Sequence, residues 1–514
     1  MSDGKSVSSD AAGTEVELGG KGLRANAIGF VSSTVIGVAS TAPGYSLAAT
    51  LGFIAIAVGL QSPAILIISF IPMLFIAASY FYMNRADPDC GTTFTWVTKA
   101  MGPRMGWIGG WAIIVADVIV MANLAQIAGL YTYELVGWNA AAESTWAVTA
   151  LGVAWILLMT WIVGRSVELS ARTQNYLLGA ELITLLAFAV VALFKVYTDP
   201  PAGAIEPALS WFNPFAIDGW SAMVSGVLLA VFIYWGWDST VTVNEETKDP
   251  SRTPGLGALT ATVILVLVYV LVAVAAQAYG GVQQLVDNAD DVLSELGTAV
   301  FGTPLDKILI IAVLTSAAAS TQTTILPTAR TSLSMARAKA LPSKFGEVHE
   351  RFFTPYFSTW CMGIASIVWY VGLTILSENI LYDSLAALGL MISFYYGATG
   401  FACAIFYRRE LFKSFKNFFF IGLLPTLGGL MLAAIFIKSA IDLSHPENSE
   451  SGESWLGLGP PLVIAIFFAV VGLLLMLYWN KIEPAFFKRK PEVVDPRVLT
   501  GEKKAVASFA AEED

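Results

Sequence analysis

Residues 232–254 read FIYWGWDSTVTVNEETKDPSRTP. The run opens as an aromatic, apolar segment, places Asp238 inside it, and ends on two adjacent glutamates, a lysine, an arginine and two prolines. An acid within a lipid-embedded helix is costly unless it faces protein or water. Gly236, between Trp235 and Trp237, is a point where a helix relaxes. The stretch therefore reads as a membrane span interrupted near its middle that finishes at a charged, aqueous edge.

The rest of the chain agrees with a bilayer setting. Of 514 residues, 56% are hydrophobic and only 13% charged, against about 25% charged in a water-soluble chain. Apolar blocks of roughly twenty residues recur, the length that crosses a hydrocarbon core. Twelve spans are predicted near 27–58, 62–83, 106–137, 145–164, 174–197, 220–243, 257–280, 303–335, 356–376, 380–407, 417–439 and 458–480. They must be helices, because open strands leave backbone groups unpaired in lipid. Residues 1–20 are polar and read as a disordered cytoplasmic tail, residues 488–514 as a second tail, and no cleavable leader is expected.

Charge sets the orientation. With the amino end inside, all but three of the 29 lysines and arginines fall on the inner side, in loops, tails or inner span ends, the exceptions being Lys195, Lys307 and Lys438. Outside loops carry acids such as Glu143, Glu206, Asp287 and Glu453. This positive-inside pattern predicts a multi-pass protein of the inner (plasma) membrane with both termini cytoplasmic.

Several functions are disfavoured. Cys90, Cys361 and Cys403 are too far apart for a metal or redox motif, and His349 and His445 make no cluster. No GxxxxGK[ST] motif occurs and no loop has room for a nucleotide-binding domain. Nothing pairs a nucleophile with a base, so an enzyme is not expected, nor a nucleic-acid partner or resident cofactor. Helices with internal polar spots favour a secondary transporter, a monomer or weak dimer in the bilayer; a sensor that binds without transporting is the remote alternative.

Four pieces, in order, carry a resemblance: VIGVASTAPGYSLAATLG at 35–52, GTTFTWVTKAMGPRMGWIGGW at 91–111, the 232–254 stretch, and TTILPTARTSLSMARAKALPSKF at 323–345. With them the chain resembles the amino acid–polyamine–organocation permeases from about Gly22 through the last span. The resemblance implies an all-α polytopic fold, a LeuT-like 5+5 inverted repeat within residues 21–407, with helices 1 and 6 broken and spans 11 and 12 (408–487) outside it. It implies import of a small amino acid by alternating access, coupled to a proton or sodium ion; a polyamine or amine permease, or an exchanger, is the alternative.

It also implies a site. Broken helices offer amides to a carboxylate and carbonyls to an ammonium. The substrate carboxylate is expected near the amides of Ser40, Thr41 and Ala42, and its ammonium near the carbonyls of Val38 or Phe232, with Ala39 in the same segment. Phe232 takes a gating position, and Ile233, Tyr234 and Trp235 the unwound segment. Three acids lie well inside spans, away from the predicted ends: Asp117, Glu181 and Asp238. Asp117 meets a cationic substrate or braces span 1. Glu181 carries a proton or attracts a cation, where some relatives have a lysine. Each is otherwise a structural hydrogen-bonding group. Ser316 and Ser320 share a helical face and either ligate sodium with span-1 carbonyls or bond back to their own helix. Glu245, Glu246 and Arg252 are expected to form a cytoplasmic latch, the acids pairing with arginines such as Arg24 or Arg104.

Overall fold

The computed structural model describes residues 6–9, 15–289, 292–305, 307–376, 378–449, 451–500, 502–503 and 505–509. Among them, ten helical stretches are long and apolar enough to cross a membrane. Twelve such helices were expected, and the difference lies at the first two spans, which run on as one stretch, and at the sixth, which is divided. Residues 30–86 count as one candidate stretch but contain three helices, α1 (Phe30–Ser40), α2 (Pro43–Val58) and α3 (Ser62–Ala86). The expected sixth span divides into α8 (Trp220–Ile233) and the single turn α9 (Ser239–Thr242), neither long enough to cross alone.

Proline sets the first interruption. Pro43 has no amide hydrogen to continue α1 but suits the first position of α2. Between them Ala42 adopts a left-handed conformation, φ 48° and ψ 65°, which costs a non-glycine residue about 1–2 kcal/mol. Glycine sets the second. Gly236 sits at φ 116°, and a Cβ there would lie 2.8 Å from the Ser40 carbonyl oxygen.

The other elements follow in order: α4 (Thr93–Met101), α5 (Pro103–Val136), α6 (Thr145–Arg165), α7 (Val167–Thr198), then α10 (Thr253–Asp287), α11 (Val292–Phe301), α12 (Lys307–Arg337), α13 (Tyr356–Leu376), α14 (Glu378–Phe406), α15 (Leu424–Asp442) and α16 (Pro460–Ile482). Small residues let them close. A Cβ on Gly129 of α5 would lie 2.5 Å from the Val148 carbonyl of α6, and one on Gly152 of α6 2.6 Å from that of Ala125. Such contacts are how helices associate where lipid removes the hydrophobic drive. α12 runs through the interior, buried continuously from Ser316 to Ala336. The outer faces of α7 and α16 expose Ile183, Val190, Leu474 and Leu477, as lipid-facing surfaces do.

The tails depart from expectation where they are described. Ser6–Ser9 (β1) and Glu15–Leu18 (β2) pair as an antiparallel ribbon. Polarity had argued for disorder, but a backbone ladder forms without an apolar face to bury. At the other end the Glu492 amide donates to the Lys99 carbonyl at 2.6 Å, and Ser508 bonds the Asp87 carboxylate at 3.0 and 3.1 Å. Residues 1–5, 10–14, 501, 504 and 510–514 of the expected tails lie outside the described residues.

Candidate functional site

The two interruptions meet. A Cβ on Gly37 of α1 would lie 2.5 Å from the Thr240 side chain of α9, and Gly236 is pressed against Ser40. The Ser40 and Ser239 hydroxyls are 2.8 Å apart. An interrupted helix exposes carbonyls at one end and amides at the other, and inside a bundle each needs a partner.

The carbonyls find hydroxyls. Thr41 Oγ1 donates to Val38 O at 2.7 Å, Ser46 Oγ to Thr41 O at 2.6 Å and Ser320 Oγ to Ser40 O at 2.8 Å. Tyr269 donates to Ile233 O at 2.5 Å. The Thr41 and Ala42 amides bond within the turn, to Val38 and Ala39. They are therefore not open to a substrate carboxylate, contrary to expectation, because the α1 hydrogen-bond pattern runs on to its last residue. At the start of α2 the Gly44 amide donates to Glu181 Oε1 at 2.7 Å and the Tyr45 amide to Ser316 Oγ at 3.1 Å. Glu181, Ser316 and Ser320 are thus brought together against the first interruption. Glu181 is fully buried, and its Oε2 has no hydrogen-bond partner.

The second interruption holds Asp238, buried at 3% exposure. Tyr396 donates to its Oδ1 at 2.8 Å and Tyr395 lies 3.4 Å from its Oδ2. Trp235 donates its indole N–H to the Tyr395 hydroxyl. Tyr80, Trp237 and Tyr396 pack their rings around this carboxylate, with centroids 5.1–5.8 Å apart. Tyr234 turns away and donates to Leu66 O at 3.0 Å. Asp117 of α5 accepts from Thr328 of α12, and Tyr395 lies within electrostatic reach of both acids. Neither Asp117 nor Asp238 forms an ion pair among the described residues. Phe232 lines a small, mostly apolar cavity of about 60 Å³ with Thr50, Phe53, Leu229 and Gly389.

At one end of the bundle lies a second, ionic layer. The Lys21 ammonium is 2.6 Å from Asp89 and 2.7 Å from Glu245, all buried. Arg330 Nε pairs with Glu246 Oε2 at 2.6 Å. Backbone pairing ties the same corner together: Ile28 N donates to Glu246 O and Lys248 N to Ile28 O. Asp89, Cys90 and Glu245 have the spacing of a metal-ligand group, but the lysine ammonium fills the space between the carboxylates. Burial lowers the Lys21 pKa, yet Asp89, Cys90 and Glu245 outweigh it and hold the ammonium well above the usual range. The expected arginine partners are corrected. Arg24 pairs with Glu168 at 3.2 Å. Arg104 and Arg252 are exposed, and Arg252 makes no ion pair among the described residues, because the Asp249–Thr253 turn carries it outward.

Sequence reasoning missed Lys21, Asp89, Arg330 and the tyrosines around Asp238. Arg330 carried a usable signal, being an ionisable residue within a span. The adjacent Tyr395 and Tyr396 in an apolar helix were a weaker one.

Comparison with known proteins follows the same lines. The chain is 25% identical to the methylthioribose transporter of Bacillus subtilis, over 63% of this chain and 71% of that one. It is 24% identical to a branched-chain amino acid permease of Lactococcus lactis, over 77% and 83%. It is 22% identical to the low-affinity putrescine importer of Escherichia coli, over 72% and 78%. The family model for amino acid permeases matches residues 25–485, and the chain belongs to that family of membrane transporters, within the amino acid–polyamine–organocation superfamily.

Proposed function

We propose that the chain is a secondary transporter that imports a small amino-bearing solute, an amino acid or an amine, by alternating access across the plasma membrane. The carrying observation is the meeting of two interrupted helices, Gly236 on Ser40, beside the buried Asp238. Counting α1–α2 and α3 as two passes and α8–α9 as one interrupted pass gives twelve spans, in keeping with the inverted repeat that the resemblance implies. The relatives' named solutes, branched-chain amino acids, putrescine and methylthioribose, form the panel to test first.

Coupling is assigned to Glu181. Its carboxylate joins α7 to the start of α2, where the next amide, that of Tyr45, is held by Ser316 of α12, the elements whose relative movement would open the site. A group that binds and releases a proton there converts a pH gradient into that movement. Ser316 and Ser320 are engaged with the span-1 backbone, an arrangement that a sodium ion would also suit. The proton reading is preferred because Glu181 Oε2 is left without a partner, and a buried carboxylate oxygen in that position is relieved by protonation.

The ionic layer serves as the inner gate. Lys21, Asp89, Glu245, Glu246 and Arg330 join the amino-terminal segment, the α3–α4 loop, the corner after α9, and α12. By the charge pattern of the loops this is the cytoplasmic end. Uptake of labelled panel members into liposomes carrying the purified protein tests the proposal. Saturable accumulation of an amino acid or an amine supports it, and binding without uptake overturns it.

A further inference from the structure

Resting on that reading of the site, we propose that the preferred substrate is an amine that lacks a carboxylate, such as a mono- or diamine, because the chain itself supplies the anion at the start of α2. In a zwitterion-binding site of this kind the substrate carboxylate needs free amides at an interrupted helix. Those amides are engaged here. Pro43 has none, the Gly44 amide is held by Glu181 Oε1 at 2.7 Å, and the Tyr45 amide by Ser316 Oγ at 3.1 Å. A Cβ on Gly44 would lie 3.5 Å from the same Glu181 oxygen, so the carboxylate is packed on the helix end rather than swung beside it.

The counter-charge is in surplus. Asp117 and Asp238 are 2% and 3% exposed, and their hydrogen-bond partners are neutral hydroxyls, from Thr328 and from Tyr395 and Tyr396. Glu181 is a third buried carboxylate, and its Oε2 has no hydrogen-bond partner. A buried carboxylate is costly unless a cation or a proton meets it. An incoming ammonium relieves that cost. An incoming α-carboxylate adds to it beside Asp117 and Asp238 and finds no free helix amide at the start of α2. Two ammonium groups match Asp117 and Asp238 better than one. This reverses the order of preference that the sequence implies, where amino acids come first.

The test compares solutes that differ by one carboxylate. Putrescine is set against ornithine, cadaverine against lysine and isobutylamine against valine, as substrates of the full-length protein in liposomes. The decarboxylated member of each pair should have the lower KM, by about tenfold or more given the cost of burying an unmatched charge. Amino acids transported with the lower KM would overturn this inference and leave the transport reading standing. Transport of no member of any pair overturns both. A Glu181→Ala protein, which frees the Gly44 amide, should shift the ratio within each pair toward the amino acid. An unchanged ratio in a folded variant also counts against the proposal, and the wild-type ratios decide it if that variant does not fold.

Discussion

Glu181 of α7 and Gly44 of α2, 137 residues apart, are joined by a 2.7 Å bond from the Gly44 amide to the carboxylate. This contact fastens the start of an interrupted helix to a neighbouring helix through a group that can change charge. Glutamine keeps an oxygen that accepts the same bond but cannot titrate. Glu181→Gln should abolish uptake driven by a pH gradient while sparing exchange of internal for external solute. Equal loss of both modes would show the residue to be structural.

Gly236→Ala should fail in folding or stability. The new Cβ meets Ser40 O at 2.8 Å on a backbone at φ 116°, a strain of about 1–3 kcal/mol before any displacement of α1. A lower melting temperature in detergent, with uptake lost, is the expected result. A variant that melts like the wild type would place the two interruptions farther apart than described.

Lys21 bears on pH dependence. Burial lowers its pKa, but Asp89, Cys90 and Glu245 raise it well above the ordinary lysine value. A pKa raised on folding contributes stability that is complete below the unfolded value, about 10.4, and is lost as pH rises through the folded one. Lys21 therefore adds no pH dependence to melting between about pH 6 and 9, and its contribution fades only in strong alkali. Lys21→Met removes the cation between two buried acids, a change that costs about 3–5 kcal/mol when one partner of a buried pair is deleted. Lys21→Met with Glu245→Gln should recover part of the loss. Thermal melts of the three proteins across pH check both statements.

Glu246→Gln weakens the pair with Arg330, 2.6 Å apart, without touching Asp117 or Asp238. A gate residue sets how often the site opens, so the transport rate should change more than the apparent affinity. A change confined to affinity would remove Glu246 from the gate.

Much of this was legible in the sequence for local reasons. Pro43 and Gly236 mark both interruptions because each acts on its own backbone. Asp117, Glu181 and Asp238 stand out because charge is rare in lipid. What was not legible is who meets them. Tyr395 and Tyr396 lie 157 and 158 residues beyond Asp238, and only packing brings them there. Lys21 looked like one more solvated charge at the edge of a tail, and its complete burial depends on Asp89 and Glu245 arriving from two other segments. Arg252 misled in the opposite way. It is adjacent in sequence to the ionic corner, but the turn that follows Asp249 points it outward.

The central claim is that this bundle moves an amino-bearing solute by coupling to a proton gradient. The direct measurement is initial uptake of labelled putrescine and of branched-chain amino acids into proteoliposomes, with sodium and pH gradients imposed one at a time. The account predicts accumulation above equilibrium when the lumen is alkaline relative to the outside, regardless of sodium, and its loss when the gradient is collapsed. Accumulation that follows sodium alone, or solute binding with no accumulation under either gradient, would contradict it.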